Sequence, residues 1–178
     1  QYFLAQGRNV SVAYAMSYSD PSIADALSEF RRKCIEKVVV LPLYPQYSGT
    51  TSGAIFDQLA AFQRGLRYAM DLRVVREYCL RDDYIDVLAQ SIKSHREKNG
   101  SGELLLFSYH GIPQACVDKG DPYYQQCLLT SEKTAQQLGL TATQWKMTFQ
   151  SRFGKAQWLQ PYTDAVLSAL PAENITSV

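Results

Sequence analysis

The sequence is poor in the residue patterns that most often announce a chemistry. Its two histidines are His95 and His110, and they belong to no HExxH pair, so a closed zinc site of the usual kind is excluded. There is no GxSxG elbow for a hydrolase triad, and neither GxxxxGK[ST] nor GxGxxG for a phosphate cradle. The four cysteines, Cys34, Cys79, Cys116 and Cys127, show no CxxC spacing. That favours free thiols in a reducing, cytoplasmic compartment over a disulfide framework. No run of Lys and Arg reaches four residues and the net charge is +1, which leaves no nucleic-acid footprint. The longest apolar run, near Val38 to Leu43, is far too short to cross a bilayer, so any membrane contact would be peripheral. The opening residues, Gln1 to Leu4, lack the basic and apolar regions of a signal peptide. They read as the end of a helix, and a start at Gln rather than Met reads as a fragment.

What is present is an ordinary globular chain. Apolar residues make up 46% and charged residues 20% of its 178 positions, which argues against disorder and allows one α/β domain or parts of two. Val10, Val12, Tyr14 and Met16 alternate as in a strand. Asp20-Pro21 reads as a helix start, followed by Ile23, Ala26, Leu27 and Phe30 at helical spacing. Lys37–Leu41 reads as a buried parallel strand. Further helices are expected over 51–67, 84–93, 122–138 and 163–170, the third closed by Gly139. Further strands are expected over 72–78, 103–108 and 144–150. Strands alternating with helices argue for parallel sheets covered by helices. The polar stretch SHREKNGSG, residues 94–102, is the best boundary, with one sheet before about residue 98 and another after it.

Ligands of open parallel sheets bind beyond the carboxyl ends of the strands. Here those ends carry Ser17-Tyr18-Ser19, Pro42 to Gly49, Ser108 to Pro113, and Gln150 to Gly154. They are rich in aromatic and hydroxyl side chains and nearly neutral, which suits a large planar ligand better than a phosphate. His95 sits among Lys93, Arg96 and Lys98 and reads as a solvated surface residue. His110 directly follows a strand and precedes Gly111, which lets the backbone turn and approach a ligand. A neutral imidazole there can ligate Fe²⁺ or accept a proton near pH 7, and it can equally be a structural residue bonded at a strand end. Position alone leaves both open. A pairing of His110 with Cys116 or Cys127 is a weaker reading, since both cysteines suit packing as small hydrophobes.

Four segments carry a resemblance. LPLYPQYSGTTSG (Leu41 to Gly53), FSYHGIPQ (Phe107 to Gln114), GDPYYQQC (Gly120 to Cys127) and MTFQSRFGKAQWLQPYTD (Met147 to Asp164) are similar, in order and spacing, to segments of the ferrochelatases. The form is most like that of Gram-negative bacteria. The resemblance implies an α/β fold of two Rossmann-like, chelatase-type parallel-sheet domains with a porphyrin in the cleft between them. Each domain would be incomplete here, residues 1–98 being the C-terminal part of the first and 99–178 the N-terminal part of the second.

It further implies a lyase that inserts Fe²⁺ into protoporphyrin IX to form protoheme, with His110 as catalytic base, metal ligand, or both. Tyr18, Tyr47, Ser48, Tyr109 and Trp158 stand where porphyrin contacts are expected. The family's opening segment would lie outside this chain, as would the acidic residue that faces its histidine, so the fragment is expected to be inactive by itself. At Ser17-Tyr18 many relatives carry Arg-Tyr, and Gly49 stands where many have Cys. The four cysteines form no recognisable [2Fe–2S] set, and no cluster is expected. The competing readings are a porphyrin-binding fragment without catalysis and, more distantly, a cobalt or sirohydrochlorin chelatase, against which the PLYPQYS and SRFG segments speak.

Overall fold

The computed structural model describes residues 6, 7 and 9–178; the helix end expected at the start of the chain lies outside the described residues. By their internal contacts the residues form two units, Gln1–Pro42 with Ala54–Val75, and Leu43–Gly53 with Arg76–Val178.

The first unit holds helix α1 (Ile23–Arg32), strand β1 (Lys37–Val40), helix α2 (Ala54–Arg64) and strand β2 (Asp71–Val74). The strands pair in parallel, Lys37 beside Asp71 and Val40 beside Val74. Helix α1 begins with a capping box. The Ser22 hydroxyl accepts from Asp25 N at 3.1 Å, and the Asp25 carboxylate accepts from Ser22 N at 3.2 Å. Ser22, not Asp20, is therefore the cap. Asp25 supplies the reciprocal bond three residues on, a partner that Asp20-Pro21 does not have.

Ile23, Leu27, Val38, Ile55, Leu59 and Met70 form the core of this unit. Val38 is 8% exposed and Val39 is 68% exposed, because successive side chains point to opposite faces and only the Val38 face meets α1 and α2. The strand expected over Asn9–Met16 does not form. Only an isolated bridge joins Met16 to Ser22, and Val10, Val12, Tyr14 and Met16 are exposed. Alternation prepares a strand, but a ladder needs a neighbour, and none lies alongside among the described residues.

The second unit contains a π-helical turn (Gly49–Gly53), α3 (Asp82–Asn99), β3 (Leu105–His110), α4 (Gln114–Asp118), α5 (Tyr123–Gln137), β4 (Trp145–Gln150), α6 (Thr163–Ala169) and a 3₁₀ turn (Leu170–Glu173). Strands β3 and β4 are parallel, with Leu105 beside Trp145 and His110 beside Gln150. No described sheet joins β1 and β3, so the α/β class with separate parallel sheets holds.

The stretch 94–102, expected as a boundary, is helical as far as Asn99. Ser94–Asn99 are the last turns of α3, where Arg96 and Lys98 complement the helix dipole. By its contacts α3 belongs with α5 in the second unit. Lys133 pairs with Asp82 at 3.3 Å and Gln137 donates to Asp86 at 2.9 Å, while Ile85 and Ala89 are buried. Thr130, Ser131 and Thr134 of α5 are fully buried hydroxyls. Each donates to the carbonyl four residues back, at 2.7 Å, 3.0 Å and 2.7 Å, so burial leaves no orphan donor. Helix α5 ends as expected at Gly139 (φ +71°). Gly139 N donates to Gln136 O and Leu140 N to Ala135 O, the paired bonds of a Schellman motif, which need a left-handed residue at that position.

The core of this unit is Ile112, Cys127, Met147, Phe149 and Leu159. Burial pushes the Cys127 thiol up to about 12 and also raises that of Cys79, whereas Cys34 is exposed. The thiolate is the reactive form. At pH 8 Cys34 is expected to label at once with a thiol reagent, and Cys79 and Cys127 only after unfolding. Mass mapping of time-quenched samples would read this, and prompt labelling of Cys127 in the native chain would refute it.

Candidate functional site

The site is built from β3 outward. Along this strand Ser108 and His110 face one way and Tyr109 the other. His110 is exposed and stands at the carboxyl end of the strand. Its Nδ1 lies 2.8 Å from the Gly111 carbonyl oxygen. A carbonyl only accepts, so Nδ1 carries the hydrogen and, in the neutral ring, Nε2 keeps its lone pair. No hydrogen bond among the described residues engages Nε2. The arrangement can take up a proton or hold a metal ion at one nitrogen, in a defined tautomer.

The His110–Gly111 peptide is held on both sides. Its carbonyl accepts from the Tyr123 hydroxyl at 3.0 Å, and its N–H donates to Gln150 O at 2.8 Å. Gly111 is crowded. A Cβ there would lie 3.0 Å from Gln150 O and 3.3 Å from Trp158 Cε3. Glycine is thus required because β4 and Trp158 approach the backbone, not for a turn toward a ligand. Beyond Gln150 the chain passes through Ser151, at φ +68°, to Arg152. The Arg152 guanidinium pairs with Asp164 at 2.9 Å and lies 3.9 Å over the Tyr162 ring.

The loop from Leu43 to the π turn is fastened to the segment around the start of α5. Gln46 Nε2 donates to Thr130 Oγ1 at 3.1 Å, and Tyr47 N donates to Gln126 Oε1 at 2.7 Å. The Gln126 amide in turn donates to Glu77 at 2.6 Å, which fixes which way it faces. Asp121 Oδ2 accepts from Ser48 Oγ and from Gly49 N, each at 2.8 Å, and its Oδ1 accepts from Tyr123 N at 3.0 Å. The helical N-terminus at Gly49, the one feature reminiscent of a phosphate cradle, therefore already holds an internal carboxylate. Ser52 Oγ is buried without a hydrogen-bond partner.

The residues marked from sequence fall into different surroundings. Tyr18, in the first unit, is 85% exposed. Tyr47 is half-buried, and its hydroxyl lies 3.1 Å from where a Cβ at Gly53 would stand. Ser48 is fully buried against Asp121. The Tyr109 hydroxyl bonds Ser131 at 3.0 Å, and burial drives its phenol well above the usual value. Trp158 is buried, with Nε1 donating to Phe153 O at 2.9 Å.

Asp121 and Tyr123 were not marked from sequence. The available signal was Asp121-Pro122, the same pair that was read as a helix start at residues 20 and 21. Among the described residues, no three His, Cys, Asp or Glu side chains converge on a point that could hold a metal ion. His110 offers a single nitrogen.

Comparison with known proteins gives a consistent result. The family model described as ferrochelatase matches residues 1–178. The chain is 50% identical over 172 residues to the ferrochelatase of Alcanivorax borkumensis, covering 97% of this chain and 50% of that protein. It is 45% identical over 174 residues to ferrochelatase 2 of Shewanella oneidensis, covering 98% and 53%. It is 44% identical over 172 residues to the ferrochelatase of Vibrio cholerae, covering 97% and 54%. The chain spans about half the length of the curated relatives it matches.

Proposed function

The chain belongs to the ferrochelatase family, and from that premise we propose that it serves the insertion of Fe²⁺ into protoporphyrin IX, a lyase reaction that yields protoheme and two protons. The observation that carries the reading is the state of His110, with Nδ1 committed to the Gly111 carbonyl and Nε2 presented at an exposed strand end. Two pyrrole N–H protons must leave as the ion enters. The Nε2 lone pair of a neutral imidazole suits their removal, and the same lone pair suits a transient ferrous ligand. The ring must also bend to expose its nitrogen lone pairs, and contacts remote from the metal are what offset that distortion. Tyr18, Tyr47, Ser48, Tyr109 and Trp158 are the residues proposed to make them.

Residues up to 98 are read as belonging to the first chelatase domain and those after to the second; the separate pairing of β1 with β2 and of β3 with β4 supports two sheets, while Leu43–Gly53 and Arg76 onward group with the second by internal contacts. The reading includes a cytoplasmic place and no [2Fe–2S] cluster, since burial disfavours the thiolate forms of Cys79 and Cys127. No helix of the described residues is long and apolar enough to cross a membrane.

An anaerobic assay with Fe²⁺ and protoporphyrin tests the proposal, the metalloporphyrin spectrum being the product signal. Because the chain spans half the length of its relatives, porphyrin binding without turnover is the second reading. Quenched porphyrin fluorescence without a metalloporphyrin spectrum would select it, and neither signal would refute both.

A further inference from the structure

We infer that Asp121 and Tyr123 are positioning residues for His110, holding the Ser48–Gly53 turn and the end of β3 in one frame. Three groups donate to the Asp121 carboxylate: the Ser48 hydroxyl, the Gly49 amide and the Tyr123 amide. Ser48 ends the loop before the π turn and Gly49 opens that turn. The third is the first residue of α5, so the loop and the helix start share one anchor. Tyr123 then reaches across with its hydroxyl to the His110 carbonyl at 3.0 Å. That bond and the Gly111 N–H to Gln150 O bond clamp the same peptide plane from opposite sides. The clamp fixes where Gly111 Cα stands and so where the next peptide begins, whose carbonyl meets Nδ1 and favours the imidazole form with its hydrogen on that nitrogen. Burial keeps the Tyr123 phenol protonated far above neutrality, so it remains a donor throughout the working range.

The carboxylate is also specific in its valence. It uses both oxygens and offers no hydrogen, so an amide in its place has one accepting oxygen for three donors. The inference rests on the proposed role of His110, and its test is chosen to be readable even if that role fails.

Long-range ¹H–¹⁵N spectra of the imidazoles in the whole chain report the tautomer directly, with His95 as the internal reference. Wild type should show His110 protonated on Nδ1. In Tyr123→Phe, which removes one oxygen and leaves the ring, a substantial share should move to the Nε2–H form while His95 stays unchanged. Asp121→Asn should do the same. If Asp121→Asn fails to fold, Tyr123→Phe alone decides. In metal insertion with Zn²⁺ and a free-base porphyrin, Tyr123→Phe should lower kcat about 10- to 100-fold with the porphyrin KM retained. A His110 tautomer unchanged in Tyr123→Phe overturns the inference. If the full-length wild type inserts no metal, the proposed function fails, and the tautomer result still judges the positioning.

Discussion

On the proposed reading, His110→Ala in the full-length protein is expected to lower metal insertion by about 10²–10⁴-fold, toward the upper end if the ring serves as both base and ligand, while leaving the fold intact. The structural part of this expectation follows from exposure. The imidazole fills no core volume, and its one hydrogen bond runs to the neighbouring carbonyl, so the strand keeps its pairing to β4 when the ring is removed. His95→Ala should change nothing, since that ring lies on the exposed face of α3 with Asn99 as its neighbour at 3.2 Å. His110→Cys should keep slight activity, because a thiolate also binds Fe²⁺. The two alanine variants, assayed side by side with Fe²⁺ or Zn²⁺ and a free-base porphyrin, make the comparison. Retention of most activity by His110→Ala would remove His110 from the chemistry.

The largest effect on stability is expected at Phe149. It is 1% exposed, stacks on Tyr124 at 5.8 Å and meets Tyr109 at 6.3 Å. Its Cβ lies next to the space that Gly111 leaves open. Phe149→Ala removes a whole ring from a filled core and should cost about 3–5 kcal/mol. Against a typical total of about 5–15 kcal/mol, that is enough to leave the second unit unfolded under mild denaturant. Phe149→Leu keeps more of the volume and should cost less. Urea melts followed by tryptophan fluorescence would show the difference, since Trp145 and Trp158 both belong to this unit. A Phe149→Ala midpoint equal to wild type would contradict the packing described.

Much of this architecture was legible in the residues. The KVVVL and ELLLFS runs gave parallel strands, the second displaced two residues to Leu105–His110, and Gly139 closed its helix, because those signals are local. His110 was placed at an open strand end by topology alone. What escaped was settled by neighbours distant in sequence. Val10 to Met16 alternate correctly yet pair with nothing, since alternation says which way side chains point and not whether a partner strand is adjacent. Residues 94–102 read as a boundary because polar and charged residues dominate them, but Lys, Arg and Glu are good helix formers and the helix runs on to Asn99. Ser48, Tyr109 and Trp158 resemble wall residues by type. Their burial depends on Asp121, Ser131 and Phe153, which stand 73, 22 and 5 residues away. Asp121 and Tyr123 escaped for the same reason, since their partners lie on the loop before the π turn and at the end of β3.

The hydrogen bond from His110 Nδ1 to the Gly111 carbonyl makes the imidazole a terminus, not a conduit. A relaying histidine takes a proton at one nitrogen and releases it from the other. A carbonyl oxygen cannot carry a proton onward, so that exit is closed. On the proposed reading, each of the two pyrrole protons that passes through this ring must arrive and depart through Nε2. The ring has to discharge to water after the first before it can accept the second. Deprotonation of the porphyrin is then a sequence of two loadings of one group, and the solvent exposure of His110 is what resets it between them.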